Sequence, residues 1–142
     1  MTNDIFDSSS IADRELITQL ESASKDLVWS SETEYPLEVF YWYKNNSFDE
    51  HTLLELLNYP AETKVAIREF SSFFNSVTKL QPWHNEAEQL EVKQYRAIAN
   101  LIAENLTDVR VYLLGEVEID VYILGQTKHQ AIAGLTTKIV AT

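Results

Sequence analysis

Residues 109–127 read VRVYLLGEVEIDVYILGQT, and residues 134–142 read GLTTKIVAT. β-Branched and aromatic side chains recur through both stretches, a composition that suits a pleated, half-buried surface better than a helix. Gly115 and Gly125 are expected to punctuate the run, and Thr127 to Ala131 to turn the chain back as a hairpin. Strands that follow one another without an intervening helix have no crossover connection, so they pair antiparallel.

Upstream, residues 37–43 (LEVFYWY) set Val39, Tyr41 and Tyr43 against Phe40 and Trp42 in strict alternation. Both faces are apolar, which predicts a central strand covered on both sides. Pro36 keeps Tyr35 out of the helical region. Ile11, Leu16, Ile17, Leu20, Ala23 and Leu27 recur at helical spacing, with Ser10 or Asp13 as the capping residue. A short helix is read over residues 49–58, started by Asp49 and stopped by Pro60, then a strand over 64–68. Phe70, Phe73, Phe74 and Val77 share a helical face capped by Ser71 or Ser72. After the break at Gln81-Pro82-Trp83 comes the longest helix, residues 86–106. Asn85 caps it, and Glu86 and Glu88 sit in the first turn, where the helix dipole favours acids. Its core stripe is read as Leu90, Ala97, Ile98, Leu101 and Ile102. These elements predict an α+β fold, a three-layer α/β/α sandwich with a mixed, mainly antiparallel central sheet. One domain spans residues 1–142, with residues 1–9 flexible.

The chain has 142 residues, 45% hydrophobic, with three Gly, three Pro and no Cys. Disulfides, cysteine zinc sites and thiol catalysis are excluded. No apolar run reaches the ~18 residues of a membrane span. The opening MTNDIFDSSS has neither the basic nor the apolar region of a secretory signal, so a cytoplasmic location is expected. Net charge is -11, and residues 1–50 hold eleven acids against three bases. Nucleic acid and anionic membranes are repelled by such a chain, because phosphate contacts need Lys and Arg. A basic protein is attracted.

Catalytic motifs are missing. There is no dinucleotide or phosphate glycine loop, no nucleophile elbow and no His-Glu-x-x-His. His51, His84 and His129 lack ligand spacing. Glu116, Glu118 and Asp120 alternate along a strand and project to one face, as a cation site or acid pair would require, or as the solvated face of an edge strand. The chain is therefore read as a non-enzyme with no cofactor and no metal of its own. Trp29 and Trp42, within apolar runs, read as core; Trp83 follows a proline at an element boundary, which leaves exposure open, and on the residues alone core is the favoured of the two readings.

Two blocks, SSETEYPLEVFYW (residues 30–42) and LGEVEIDVYILGQT with AGLTTKIVAT (114–127 and 133–142), resemble the nuclease A inhibitor family. The spacing of the blocks, the Gln81-Pro82-Trp83 stop before an acidic helix start, and the terminal threonine agree with it. The resemblance runs from about residue 13 to the C-terminus and is loose between residues 44 and 69. It implies a small acidic α/β/α inhibitor of a sugar-non-specific DNA/RNA endonuclease of the ββα-metal class. Such an inhibitor, a monomer when free, binds 1:1 and occludes the nuclease Mg²⁺ site. By motif, Glu32 falls where the family pairs with a nuclease arginine, Gln81 and Trp83 at contact positions, and Thr142 where the family approaches the metal. Two positions depart from the pattern: Pro82 replaces an expected aspartate, and Ala141 an expected acid. A binding module for a different basic partner is the alternative reading, ahead of an enzyme or cation-binding protein.

Overall fold

The three strands expected near the C-terminus lie side by side. The computed structural model describes residues 11–30, 34–42 and 49–140. In chain order the elements are α1 (Ile11–Ser24), β1 (Val28–Ser30), β2 (Glu34–Pro36), β3 (Glu38–Trp42), α2 (Glu50–Leu56) and β4 (Val65–Glu69). They continue with α3 (Phe70–Thr78), α4 (Glu86–Asn105), β5 (Thr107–Leu114), β6 (Glu118–Gln126) and β7 (Ile132–Val140). β1 and β2 form an antiparallel ribbon; the main sheet has the order β3-β7-β6-β5-β4. Every pairing in it is antiparallel, so the α+β class and the mainly antiparallel sheet both agree with the sequence reading.

Residues alternate cleanly between two apolar clusters. Val111, Val121, Ile123, Ala133 and Leu135 face one way and pack under α1, α3 and α4 through Leu20, Phe74, Ile98 and Ile102. Tyr112, Leu114, Leu124 and Ile132 face the other way and meet Leu53 and Leu54 of α2. Burial of this apolar area is the main stabilising term.

Five details differ from the sequence reading. β3 is an edge strand, paired only with β7, rather than a central one. Its two apolar faces are nonetheless used, Val39 and Tyr41 against the larger cluster, Phe40 and Trp42 against the smaller. Covering on both sides explains such a pattern as well as a central position does. Gly125 lies within β6 instead of ending it; a Cβ there would stand 2.7 Å from Val109 Cγ2 and 2.9 Å from Leu106 Cβ, so the residue admits close packing. Gly115 does close the β5–β6 turn, at φ 117°.

Ser71 and Ser72 do not cap α3. The N-cap is Glu69, whose side chain accepts from both serine hydroxyls. Leu90 is 61% exposed and leaves the core stripe to Val92, Tyr95, Ile98 and Ile102. Ala97 is exposed as well, while Ile98 and Ile102 stay in the stripe, so the buried face is rotated only part of the way round the helix from the expected one. Finally, Asp13 does not cap α1, and Ser10, the other candidate, lies outside the described residues. It is 3% exposed inside the helix, and its Oδ2 accepts from the Tyr41 hydroxyl at 2.8 Å and the Thr127 hydroxyl at 3.3 Å. One carboxylate thus ties α1 to β3 and to the β6–β7 turn. That turn is the expected one: Thr127 N–H donates to Ala131 C=O at 2.8 Å, and Thr127 Oγ1 accepts from Ala131 N–H at 3.1 Å.

Caps form elsewhere as read. Asp49 accepts from Thr52 N–H at 2.9 Å, and that bond, then the Thr52 hydroxyl, holds the Asp49 carboxyl below its usual range. Asn85 caps α4.

Candidate functional site

The start of α4 is built by reciprocal hydrogen bonds. Asn85 Oδ1 accepts from Glu88 N–H at 2.8 Å, and Glu88 Oε1 accepts from Asn85 N–H at 2.9 Å, a complete capping box. Immediately upstream, His84 N–H donates to Gln81 C=O at 3.1 Å and closes a four-residue turn over Gln81-Pro82-Trp83-His84. Proline suits the second position of such a turn because its φ is already fixed there. Gln81 N–H donates in return to His84 Nδ1 at 3.1 Å. An accepting Nδ1 places the ring proton on Nε2. The Gln89 side-chain amide adds a bond to His84 C=O at 3.2 Å.

This scaffold displays Trp83. The indole is 73% exposed and touches the His84 ring edge-on, with centroids 6.0 Å apart and planes at 75°. The core position that the residues alone favour is therefore overturned, and the exposed position implied by the resemblance is observed. A loop tryptophan is expected in the core because burial of its large ring is favourable. Here the turn's hydrogen bonds join Gln81, His84 and the Gln89 amide without using the indole, which stays in the open. Gln81 is half-buried. Leu80 and Leu90, on either side along the chain, are exposed as well.

Glu32 and Thr142 lie outside the described residues. On either side of residues 31–33, β1 and β2 pair as a ribbon, with Ser30 opposite Glu34 and Trp29 opposite Tyr35. The ribbon is fastened to β7: the Thr137 hydroxyl donates to Pro36 C=O at 3.0 Å, and the Lys138 ammonium lies 5.9 Å from the centre of the Tyr35 ring. β7 is the strand that leads to Thr142. Val28 of β1 shares a cavity wall with His84. The base of the ribbon, where Val28 pairs with Pro36, thus lies beside both β7 and the start of α4.

Of the acidic run, Glu118 and Asp120 lie on β6 and Glu116 in the turn before it. β6 lies between β5 and β7, so it is not an edge strand. Asp120 pairs with Lys138 at 3.8 Å and accepts from the Tyr59 hydroxyl, which also lies 3.3 Å from the Tyr122 hydroxyl. Burial, then the Asp120 bond, pushes the Tyr59 phenol well above its ordinary range. Glu116 meets Lys64 at 3.6 Å on the exposed surface. Among the described residues no cluster of three His, Asp or Glu side chains could hold a metal ion. No described helix is long and apolar enough to cross a membrane.

Residues 14–142 match the family described as nuclease A inhibitor-like protein. The chain belongs to the nuclease A inhibitor-like family. Taken singly, curated proteins give no significant match. The family is one of nuclease inhibitors, and its match runs from within α1 through β7. Within this nuclease A inhibitor-like chain, sequence reasoning missed His84 as the residue that shapes the Trp83 turn. Its only signal is its place three residues after Gln81, the span of a β-turn.

Proposed function

We propose that the protein inhibits a sugar-non-specific DNA/RNA endonuclease of the ββα-metal class, binding one nuclease and covering its Mg²⁺ site without catalysis of its own. The observation that carries this reading is Trp83, a large indole held in the open on a turn fixed by three hydrogen bonds. Tryptophan recurs at binding hot spots because it offers much contact area and loses little conformational freedom. Gln81 flanks it. Glu32 is the charge partner of a nuclease arginine, and Thr142 brings a hydroxyl and an α-carboxylate towards the nuclease metal. Such hard oxygen donors suit Mg²⁺ directly or through water.

Charge supports the same partner. A nuclease holds polyphosphate with Lys and Arg, and a surface carrying -11 competes for those groups. In this reading the free inhibitor is a cytoplasmic monomer, needs no cofactor, and leaves nucleic acid and membranes alone.

Titrating such a nuclease with the protein tests the proposal. A sharp endpoint at one inhibitor per nuclease is expected; continued nuclease activity at excess protein refutes it. Glu32→Ala is expected to weaken inhibition by about 2–5 kcal/mol if the carboxylate is buried against an arginine. Appending Gly-Ser after Thr142 is expected to cut inhibition while the melting curve stays put. A different basic partner would leave the nuclease active and appear instead in pull-downs that Trp83→Ala abolishes.

A further inference from the structure

Beside the Trp83 turn, between α3, α4 and β1, lies a cavity of about 180 Å³. One water occupies roughly 30 Å³ of liquid, so the space admits the head group of a side chain. Its floor is apolar, made by Val77, Val92 and the buried Tyr95 ring. The Tyr95 hydroxyl is already committed, donating to Val28 C=O at 2.6 Å. Polar character enters at the wall: His84, which also touches Trp83, and the carboxylates of Glu88 and Glu91. No lysine or arginine lines the cavity.

The two acids differ in what explains them. Glu88 belongs to the capping box. Glu91, three residues on and on the same helix face, has no ion pair or hydrogen bond among the described residues. Like charges at that spacing repel, so the Glu88–Glu91 pair costs the isolated helix a little and leaves a local excess of negative charge at the cavity. Its charge reaches into the cavity: after burial, it is the second cause that pushes the Tyr95 phenol upward.

An apolar floor under two carboxylates fits a cation on an apolar stem. Arginine meets both demands, because its planar fork can engage two oxygens and its methylenes pack on apolar surface. We propose that this cavity is a second subsite that takes an arginine side chain of the nuclease, its guanidinium on Glu91 and Glu88 and its stem along Val77 and Val92. This rests on the inhibitor reading above. His84 joins the two contacts, since one ring touches Trp83 and lines the cavity.

Ethylguanidinium chloride serves as the free probe, titrated while the His84 and Tyr95 ring resonances are followed. Saturable shifts are expected in the parent protein. Glu91→Gln, which keeps the side chain's shape, and Ser76→Phe, which fills the cavity mouth, are expected to abolish them at unchanged melting temperature. Absent shifts, or shifts that both variants keep, overturn the subsite. A second arm measures inhibition of the nuclease, where each variant is expected to lose roughly tenfold in affinity, the worth of one hydrogen bond to a charged group. If the parent inhibits and both variants match it, the subsite is overturned and the inhibitor reading stands. If the parent does not inhibit, that reading fails, and the arginine subsite fails with it.

Discussion

Trp29 and Trp83 are the same residue put to opposite uses. Trp29 is 7% exposed, stacked on Phe73 at 4.8 Å and met edge-on by Tyr95 at 5.7 Å. Trp83 is 73% exposed and meets a single ring, His84. Around Trp29 three elements converge, β1, α3 and α4, and the contacts are apolar. Around Trp83 one short turn suffices, and the contacts are hydrogen bonds among its own residues. The difference teaches how this chain divides labour. Apolar area given to folding sits where elements cross, and apolar area left in the open sits on a turn held by polar bonds.

The comparison breaks most easily at its buried end. Trp29→Ala is expected to destabilise the fold by about 3–5 kcal/mol, since it leaves a cavity among Phe73, Phe74 and Tyr95. Urea unfolding followed by circular dichroism measures this. A loss below 1 kcal/mol would mean that the aromatic cluster is not the keystone proposed. Asp13→Ala comes next. It leaves the Tyr41 and Thr127 hydroxyls without their shared acceptor, and each such buried group costs about 1–3 kcal/mol. The same unfolding measurement reads it, and Tyr41→Phe in the Asp13→Ala background should recover part of the loss.

Much of this division was legible in the sequence, and the failures have physical causes. The strands at the C-terminal end, the Thr127–Ala131 turn, the Asp49 and Asn85 caps and the helix periods follow from local chemistry, and the structure has them. The position of β3 at the sheet edge does not follow. Alternating apolar faces record that both sides of a strand are covered, which α1 and α2 do here, while strand order is set by long-range pairing. Asp13 misled because an acid near a helix start resembles a cap; its partners lie 28 and 114 residues away in sequence. Leu90 misled because a helix period admits more than one phase. For the site, Gln81 and Trp83 were marked by the break they form; the proline at that boundary left exposure of Trp83 open, and the family resemblance favoured it. His84 and Glu91 gave no signal, since their roles depend on a turn and a cavity that no short motif encodes.

Alkaline pH separates the two regions in a further way. Burial, above all, raises the Tyr95 phenol, and burial followed by the Asp13 bond raises Tyr41. A tyrosine whose folded pKa lies above its unfolded value near 10 contributes stability that is fully present below about pH 10 and is lost as pH climbs towards the folded value. The unfolded chain then releases protons that the folded chain keeps. The urea midpoint is expected to hold steady from pH 8 to 9.5 and to fall beyond pH 10. Tyr95→Phe should make that fall shallower. An equal slope in the variant would show that Tyr95 ionises as freely in the fold as outside it.

The smallest effect on stability falls at the exposed end, and it carries the sharpest contrast. Trp83→Ala is expected to change folding stability by no more than about 0.5 kcal/mol, the usual range for a surface substitution. The turn's hydrogen bonds run through the backbone of Gln81 and the ring and backbone of His84, none through the indole. Against the nuclease the same variant should lose at least ~1 kcal/mol of binding, as a hot-spot tryptophan does. His84→Ala offers the complementary test. It removes the acceptor for Gln81 N–H and the ring beneath Trp83, so it should weaken inhibition although the indole remains. If His84→Ala inhibits as well as the parent, the turn's rigidity contributes nothing and the indole alone makes the contact. If Trp83→Ala instead unfolds the protein, the indole serves folding as Trp29 does, and the division of labour between the two fails.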